Sequence, residues 1–368
     1  MRIRALCIAL AAVLASIVVP AAQPGRADNV VLVTLDGARW QEVFSGLDES
    51  LLRASVPRGS DITTLPAYKN YAAASPVERR ERLMPFLWRT LVANQGFIAG
   101  NRAAGSLVSV TNSHRFSYPG YSELLTGQAH DDTIKSNDAI RNPFPSVLQF
   151  ARRKLQLGPA KVATFASWDV FRAIVESEAG ATMVNAGVQD YASAAPGMQL
   201  LSAVQAETTP WDHVRHDAFT FRFALDYLMR ERPRLLYIAF DETDDWAHDG
   251  KYDRVLDALH RSDDQLKRLW AALQADPQYR DKTALIVTTD HGRGRTAADW
   301  RNHGKDVAGA DEIWLAIASP NGRRRGEWSN HPPLFQNQIA ATLAAALGFD
   351  YGEQNPQAGK AISLDDVR

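Results

Sequence analysis

The 368-residue sequence has a single cysteine, Cys7. One thiol cannot close an internal disulfide, and it excludes cysteine-based zinc sites of the usual spacing. The chain also lacks a basic run. Its 41 Lys and Arg stand against 42 Asp and Glu, for a formal net charge of −1. Proteins that track a nucleic-acid backbone carry clustered positive charge, so polymeric nucleic acid is not an expected partner. Beyond the first 19 residues there is no second apolar span, no internal repeat and no low-complexity tract.

What stands at the start has the layout of a secretory signal peptide. Arg2 and Arg4 precede an apolar run from Ala5 to Val19, followed by Pro20 and small residues. The run is about 15 residues, short of the roughly 20 that span a bilayer. The expected leader is residues 1–27, with cleavage after Ala21 or Ala27, and a secreted or periplasmic product without a stable membrane span. Cys7 leaves with it, and so does thiol chemistry. An uncleaved anchor is the alternative. Cleavage after Ala27 also removes Arg2, Arg4 and Arg26, leaving 38 basic against 42 acidic residues, a net charge of −4. Residues 28–368, about 340 in all, are within range for one elaborated α/β domain.

Short apolar runs end in chemically capable residues. VVLVTLDG (30–37), LLYIAFDET (235–243) and TALIVTTDHG (283–292) read as buried strands that end at or beside Asp36, a group of acidic residues, and Asp290 with His291. KVATFAS (161–167) and EIWLAIAS (312–319) read as further strands. Between them, 252–273 and 334–347 have helical periodicity, the latter stopped by Gly348. Strands alternating with helices predict a three-layer α/β/α sandwich around a largely parallel sheet. Ligands in such folds bind beyond the carboxyl ends of the strands. A single Asp there is usually a cap or turn residue; three in register weaken that reading. Residues 41–82 and 176–216 show little periodicity and read as lids or rim loops over a site, or as surface insertions.

Without cysteine, a metal site must use His nitrogen and carboxylate oxygen. The candidates are Asp36, Asp244 and Asp245 with His248, the pair Asp290 and His291, and His303. Asp244 and His248 are four apart and share a face if the segment is helical. Asp245 competes with Asp244 for the ligand position.

The segments LVTLDG, FSYPGYSELLTG, DETDDWAH, TTDHG and NHG occur in the order used by the alkaline phosphatase superfamily. The sequence most resembles its type I phosphodiesterase/nucleotide pyrophosphatase branch over residues 30–304. The resemblance implies two metal sites: Asp244, His248 and His303 at one, and Asp36, Asp290, His291 and the Ser117 oxygen at the other. Ser117 is then the nucleophile and Asn137 a ligand of a phosphoryl oxygen. The cofactors implied are two divalent ions, zinc first, with manganese suited to the same donors. Two features depart from the branch. Gly120-Tyr121 stands where Asn-His is usual, and the interval from Asp36 to Ser117 is long.

The expected chemistry is hydrolysis of a small-molecule phosphate or sulfate ester, with a phosphodiester or pyrophosphate favoured. A serine hydroxyl is a weak nucleophile until a base or metal stabilises its alkoxide, and paired cations can hold both oxygens of an in-line displacement. A covalent seryl-phosphate follows. Enzyme alternatives are a phosphomonoesterase, a phosphomutase-like enzyme and a sulfatase. For the sulfatase, Tyr121 occupies the place of the Arg that aldehyde-forming enzymes need. A catalytically decayed metal-binding protein is the non-enzymatic alternative. His114, His130 and His331 lie near motifs and read as rim or solvent positions, while Arg39 and Arg115 flank the Asp36 and Ser117 segments, where either meets the substrate anion or is an ordinary surface arginine. Tyr118, Tyr121 and Trp246 read as packing or wall residues.

Overall fold

A computed structural model describes residues 26–320 and 322–364. The predicted leader lies outside the described residues except for Arg26 and Ala27. Ala27 is buried, and its N–H donates to the Ala346 carbonyl at 2.6 Å.

Ten strands form: β1 Asn29–Leu35, β2 Gly96–Ala99, β3 Val108–Ser109, β4 Val162–Ala166, β5 Met183–Ala186, β6 Leu235–Phe240, β7 Thr283–Thr288, β8 Leu315–Ala318, β9 Gly326–Glu327 and β10 Leu334–Phe335. Eight of them make one sheet in the order β5-β4-β6-β1-β7-β8-β2-β9, with β3 and β10 paired separately. β1, β4, β5, β6 and β7 run parallel, while β8 is antiparallel to both β7 and β2. The predicted sandwich is therefore the observed architecture.

The continuous apolar character of the central strands has a direct cause. Every residue of β1, β6 and β7 is buried, as parallel strands covered on both faces require. Alternate side chains serve two cores. Val31, Val33 and Leu35 join Leu236, Ile238, Leu285 and Val287 on one face. Val30 and Leu32 join Leu235, Tyr237, Ala284 and Ile286 on the other. The helix Tyr252–Ala275 covers the first face through Val255, Leu256, Leu259, Leu266, Leu269 and Leu273. The helices Ser117–Thr126, here α1, and Ile339–Ala346 cover the second.

The interval 41–82 is not a lid. It folds into short helices, Glu49–Ala54, Pro66–Tyr71 and Pro76–Leu83, whose Leu51, Leu52, Tyr71 and Leu83 enter the first core. Their start signals are local: Asp48 caps the first, and Ser75 with Glu78 forms a capping box on the third. The interval 176–216 supplies the edge strand β5 and a helix, Pro196–Glu207. Among the described residues no helix is long and apolar enough to cross a membrane.

The Gly120 departure has a packing reason. All ten residues of α1 are buried. A Cβ at position 120 would lie 2.5 Å from the Asp290 carbonyl oxygen, a backbone atom that cannot step aside cheaply. Gly120→Ala is expected to lower stability by about 1–3 kcal/mol, the usual cost of overpacking. Urea unfolding reads this as a lower midpoint at unchanged m-value; an unchanged midpoint contradicts the close approach.

Candidate active site

Three neighbouring strands end side by side. The registers Leu35 with Phe240 and Thr34 with Thr288 bring the residues after β1, β6 and β7 to one edge of the sheet. Asp36, Asp241 and Asp290 stand there, all buried. β6 runs into the helix Glu242–His248, here α2, which adds Asp244, Asp245 and His248. The turn after β7 adds His291. A later loop, tied down where the Gly304 N–H donates to the Arg115 carbonyl at 3.0 Å, brings in His303.

Two groups form, each able to hold a cation. Asp36, Asp290 and His291 place one ligand atom each within 4.8 Å of one another, and so do Asp244, His291 and His303. His291 Nε2 is 3.3 Å from Asp36 Oδ1 and 3.5 Å from Asp290 Oδ2. His248 joins the second group: its Nε2 is 3.1 Å from Asp244 Oδ2 and 2.9 Å from His303 Nε2. All six Asp and His positions expected from sequence thus converge. The helical spacing proposed for Asp244 and His248 is realised in α2. Between Asp244 and Asp245, it is Asp244 that faces the histidines.

Ser117 opens α1 and is 6% exposed, with its Oγ 3.4 Å from His291 Nε2. Asn137 is held beside it, its Oδ1 accepting from the Tyr118 N–H at 3.0 Å. Ser117, Asn137, Asp244, His248 and His303 line one cleft of about 300 Å³, together with Trp168, Val214, Asp241 and Asp245. A larger hollow of about 600 Å³ beside the C-terminal segment contains none of these groups.

The electrostatics explain what such an arrangement needs. Burial and the neighbouring Asp36 push the Asp290 carboxyl up to about 7. Burial and Asp245 raise Asp241, and burial lifts Asp245 itself to about 6. Burial alone would discharge His291, yet Asp290 and Asp36 hold its proton up to about 9. His303 is pushed down, by burial first and then by the charges of His291 and Arg293. Packed carboxylates of this kind resist ionisation unless positive charge is supplied. Asp36 Oδ1 and Asp290 Oδ2 are buried without a hydrogen-bond partner among the described residues. Oxygen and imidazole donors with unused lone pairs fit a divalent cation.

Several residues at the site escaped the sequence reading. Tyr121, read as packing, donates its hydroxyl to Asp36 Oδ2 at 2.8 Å. Its position one helical turn after Ser117 was the available signal. Thr243 Oγ1 donates to the Asp36 carbonyl at 2.5 Å, and the Gly37 N–H donates to Asp290 Oδ1 at 3.1 Å. Arg293 is buried against Asp244. The residues read as rim positions and the two flanking arginines are used elsewhere. Arg115 Nη1 is 3.6 Å from Asp311, Arg39 Nε is 3.3 Å from Glu42, His130 stacks on Phe144, and His331 bonds Ser106.

Residues 149–320 match the family model of type I phosphodiesterase / nucleotide pyrophosphatase. No curated protein sequence matches the chain. Among solved structures, the chain is similar to the lipoteichoic acid synthase LtaP from Listeria monocytogenes, at 14% identity and a TM-score of 0.55, covering 90% of this chain and 74% of that one. It is similar to wild type alkaline phosphatase PafA, at 11% identity and a TM-score of 0.59, covering 92% and 98%. The phosphonate monoester hydrolase of Agrobacterium radiobacter aligns at 14% identity and a TM-score of 0.52, covering 89% and 74%. Residues 149–320 thus carry the type I phosphodiesterase / nucleotide pyrophosphatase match, and the chain as a whole shares its fold with these phosphate- and phosphonate-ester enzymes of known structure.

Proposed function

We propose that the protein is a secreted or periplasmic, metal-dependent hydrolase of small phosphate esters, with Ser117 as nucleophile and phosphodiesters or pyrophosphates as preferred substrates. One observation carries the reading: the Ser117 hydroxyl lies beside His291, where two groups of buried Asp and His side chains meet. The match of residues 149–320 to the type I phosphodiesterase family supports the same class.

In this reading Asp36, Asp290 and His291 hold one divalent cation and Asp244, His248 and His303 a second, zinc or manganese. Bound there, the cations supply Lewis-acid stabilisation of the serine alkoxide and of charge on the phosphoryl oxygens. The protein's own groups do the rest. Tyr121 and Thr243 fix Asp36 from two sides. Asn137, pinned by the Tyr118 N–H, presents its amide to a phosphoryl oxygen. Ser117 attacks phosphorus, the ester oxygen leaves with a proton, and the seryl-phosphate is hydrolysed by water. Burial keeps bulk water from screening these interactions.

The diester preference rests on the cleft walls. Asp241 and Asp245 add carboxylates to the cleft, and no Lys or Arg is among the residues that line it. A monoester dianion meets more repulsion there than a diester monoanion. The sulfate esters handled by some relatives stay the alternative substrate, since one structure of this fold is a 2-O GAG sulfatase.

Ser117→Ala should abolish turnover of nitrophenyl esters and leave metal content unchanged. Wild-type enzyme quenched during turnover should carry its phosphoryl adduct on the peptide containing Ser117. An adduct elsewhere, or undiminished hydrolysis by the variant, contradicts the assignment. Separately, kcat/KM for a nitrophenyl diester should exceed that for the matching monoester. A monoester preference of about tenfold, roughly 1.4 kcal/mol in transition-state binding, overturns the diesterase reading.

A further inference from the structure

One charged side chain at the site has no part in the chemistry above. Arg293 follows His291 by two residues and is 2% exposed. Its Nη1 donates to the Arg301 carbonyl at 2.6 Å. Its Nη2 donates to the Asp244 carbonyl at 3.1 Å and, more closely, to the Asp244 carboxylate at Oδ1. Its Nε has no hydrogen-bond partner among the described residues. Gly37 closes the pocket from the other side. Its φ is +55°, and a Cβ there would lie 2.5 Å from Asp244 Oδ1 and 2.8 Å from Arg293 Nε.

We propose that Arg293 is a positioning residue that locks the Asp244 carboxylate into its metal-ligating orientation. The inference rests on the reading that Asp244, His248 and His303 hold a cation. One nitrogen, Nη2, grips both the carbonyl and one carboxylate oxygen of Asp244 while Nη1 is anchored on the Arg301 carbonyl, a fork that planar Arg makes and Lys does not. With Oδ1 held, Oδ2 is turned toward His248 Nε2, 3.1 Å away. The glycine at 37 is what lets the two side chains meet this closely.

Charge and geometry predict opposite outcomes, which makes the proposal decidable. A guanidinium next to a cation site repels the cation, so an electrostatic role alone means that removing it tightens metal binding. A positioning role means that removing it loosens binding, by the 10- to 100-fold typical of lost partners behind a metal ligand.

The test titrates zinc into metal-stripped full-length protein in competition with a chelating dye, for wild type, Arg293→Met, Arg293→Lys and Arg293→Ala. We expect one zinc site to weaken at least about tenfold in both the Met and Lys variants. The other site, braced by Tyr121 and Gly37, should change by less than about threefold, since it keeps its own partners. Millimolar guanidinium should restore the weakened site in Arg293→Ala, which a merely structural role would not do. Folded Met and Lys variants that bind both equivalents as tightly as wild type, or more tightly, overturn the role of Arg293. If the Met variant does not fold, the Lys variant decides by the same criterion. A wild-type protein that binds no zinc or manganese overturns instead the metal-centre reading on which the inference rests.

Discussion

Repulsion between buried carboxylates is the constraint around which the site is organised. The parallel registers of β1, β6 and β7 deliver Asp36, Asp241 and Asp290 to one edge of the sheet, and α2 adds Asp244 and Asp245. Burial penalises each negative charge, and each neighbour penalises the next. The fold answers with fixed donors: Tyr121, Thr243 and the Gly37 N–H around Asp36 and Asp290, and Arg293 on Asp244. These do not suffice, because Asp36 Oδ1 and Asp290 Oδ2 still have no hydrogen-bond partner among the described residues. On the proposed reading, divalent cations would complete the balance, and the same cations would activate Ser117. Stability and catalysis then depend on one electrostatic requirement.

Much of this was legible in the sequence because the signals were local. Three apolar runs ending in Asp or Asp-His identified the central strands and the edge at which they stop. The interval of four between Asp244 and His248 anticipated a shared helix face. What escaped depends on distant contacts. Tyr121 meets Asp36 across 85 positions, and Arg293 meets Asp244 across 49. The local pattern around Arg293 does not distinguish a side chain that holds a ligand from one that packs, and for Tyr121 only its place one helical turn after Ser117 does. The helices within 41–82 were missed for a different reason. They are six to eight residues long, too short for an apolar period to repeat, and only their caps at Asp48 and Ser75 marked them.

The fold is shared with structures named for different ester chemistries, so it does not select a substrate. Selection falls to the cleft wall, where Trp168 and Val214 stand opposite the acidic pair Asp241 and Asp245. Trp168 is joined to Val214 by an isolated bridge, and Val214 to Trp211 by another. The neighbouring Arg215 is fully buried on Asn185 and Thr220. This wall is therefore braced largely by the 176–216 interval, one of the two stretches whose sequence carries little periodicity.

On the proposed reading, two cations sit between these carboxylates and histidines, one of them at the Ser117 hydroxyl. Anomalous diffraction at the zinc edge from crystals of the zinc-loaded protein tests it most directly. Two peaks should appear, one bounded by Asp36, Asp290, His291 and Ser117 Oγ, the other by Asp244, His248 and His303. A single peak, or peaks outside these side chains, would contradict it.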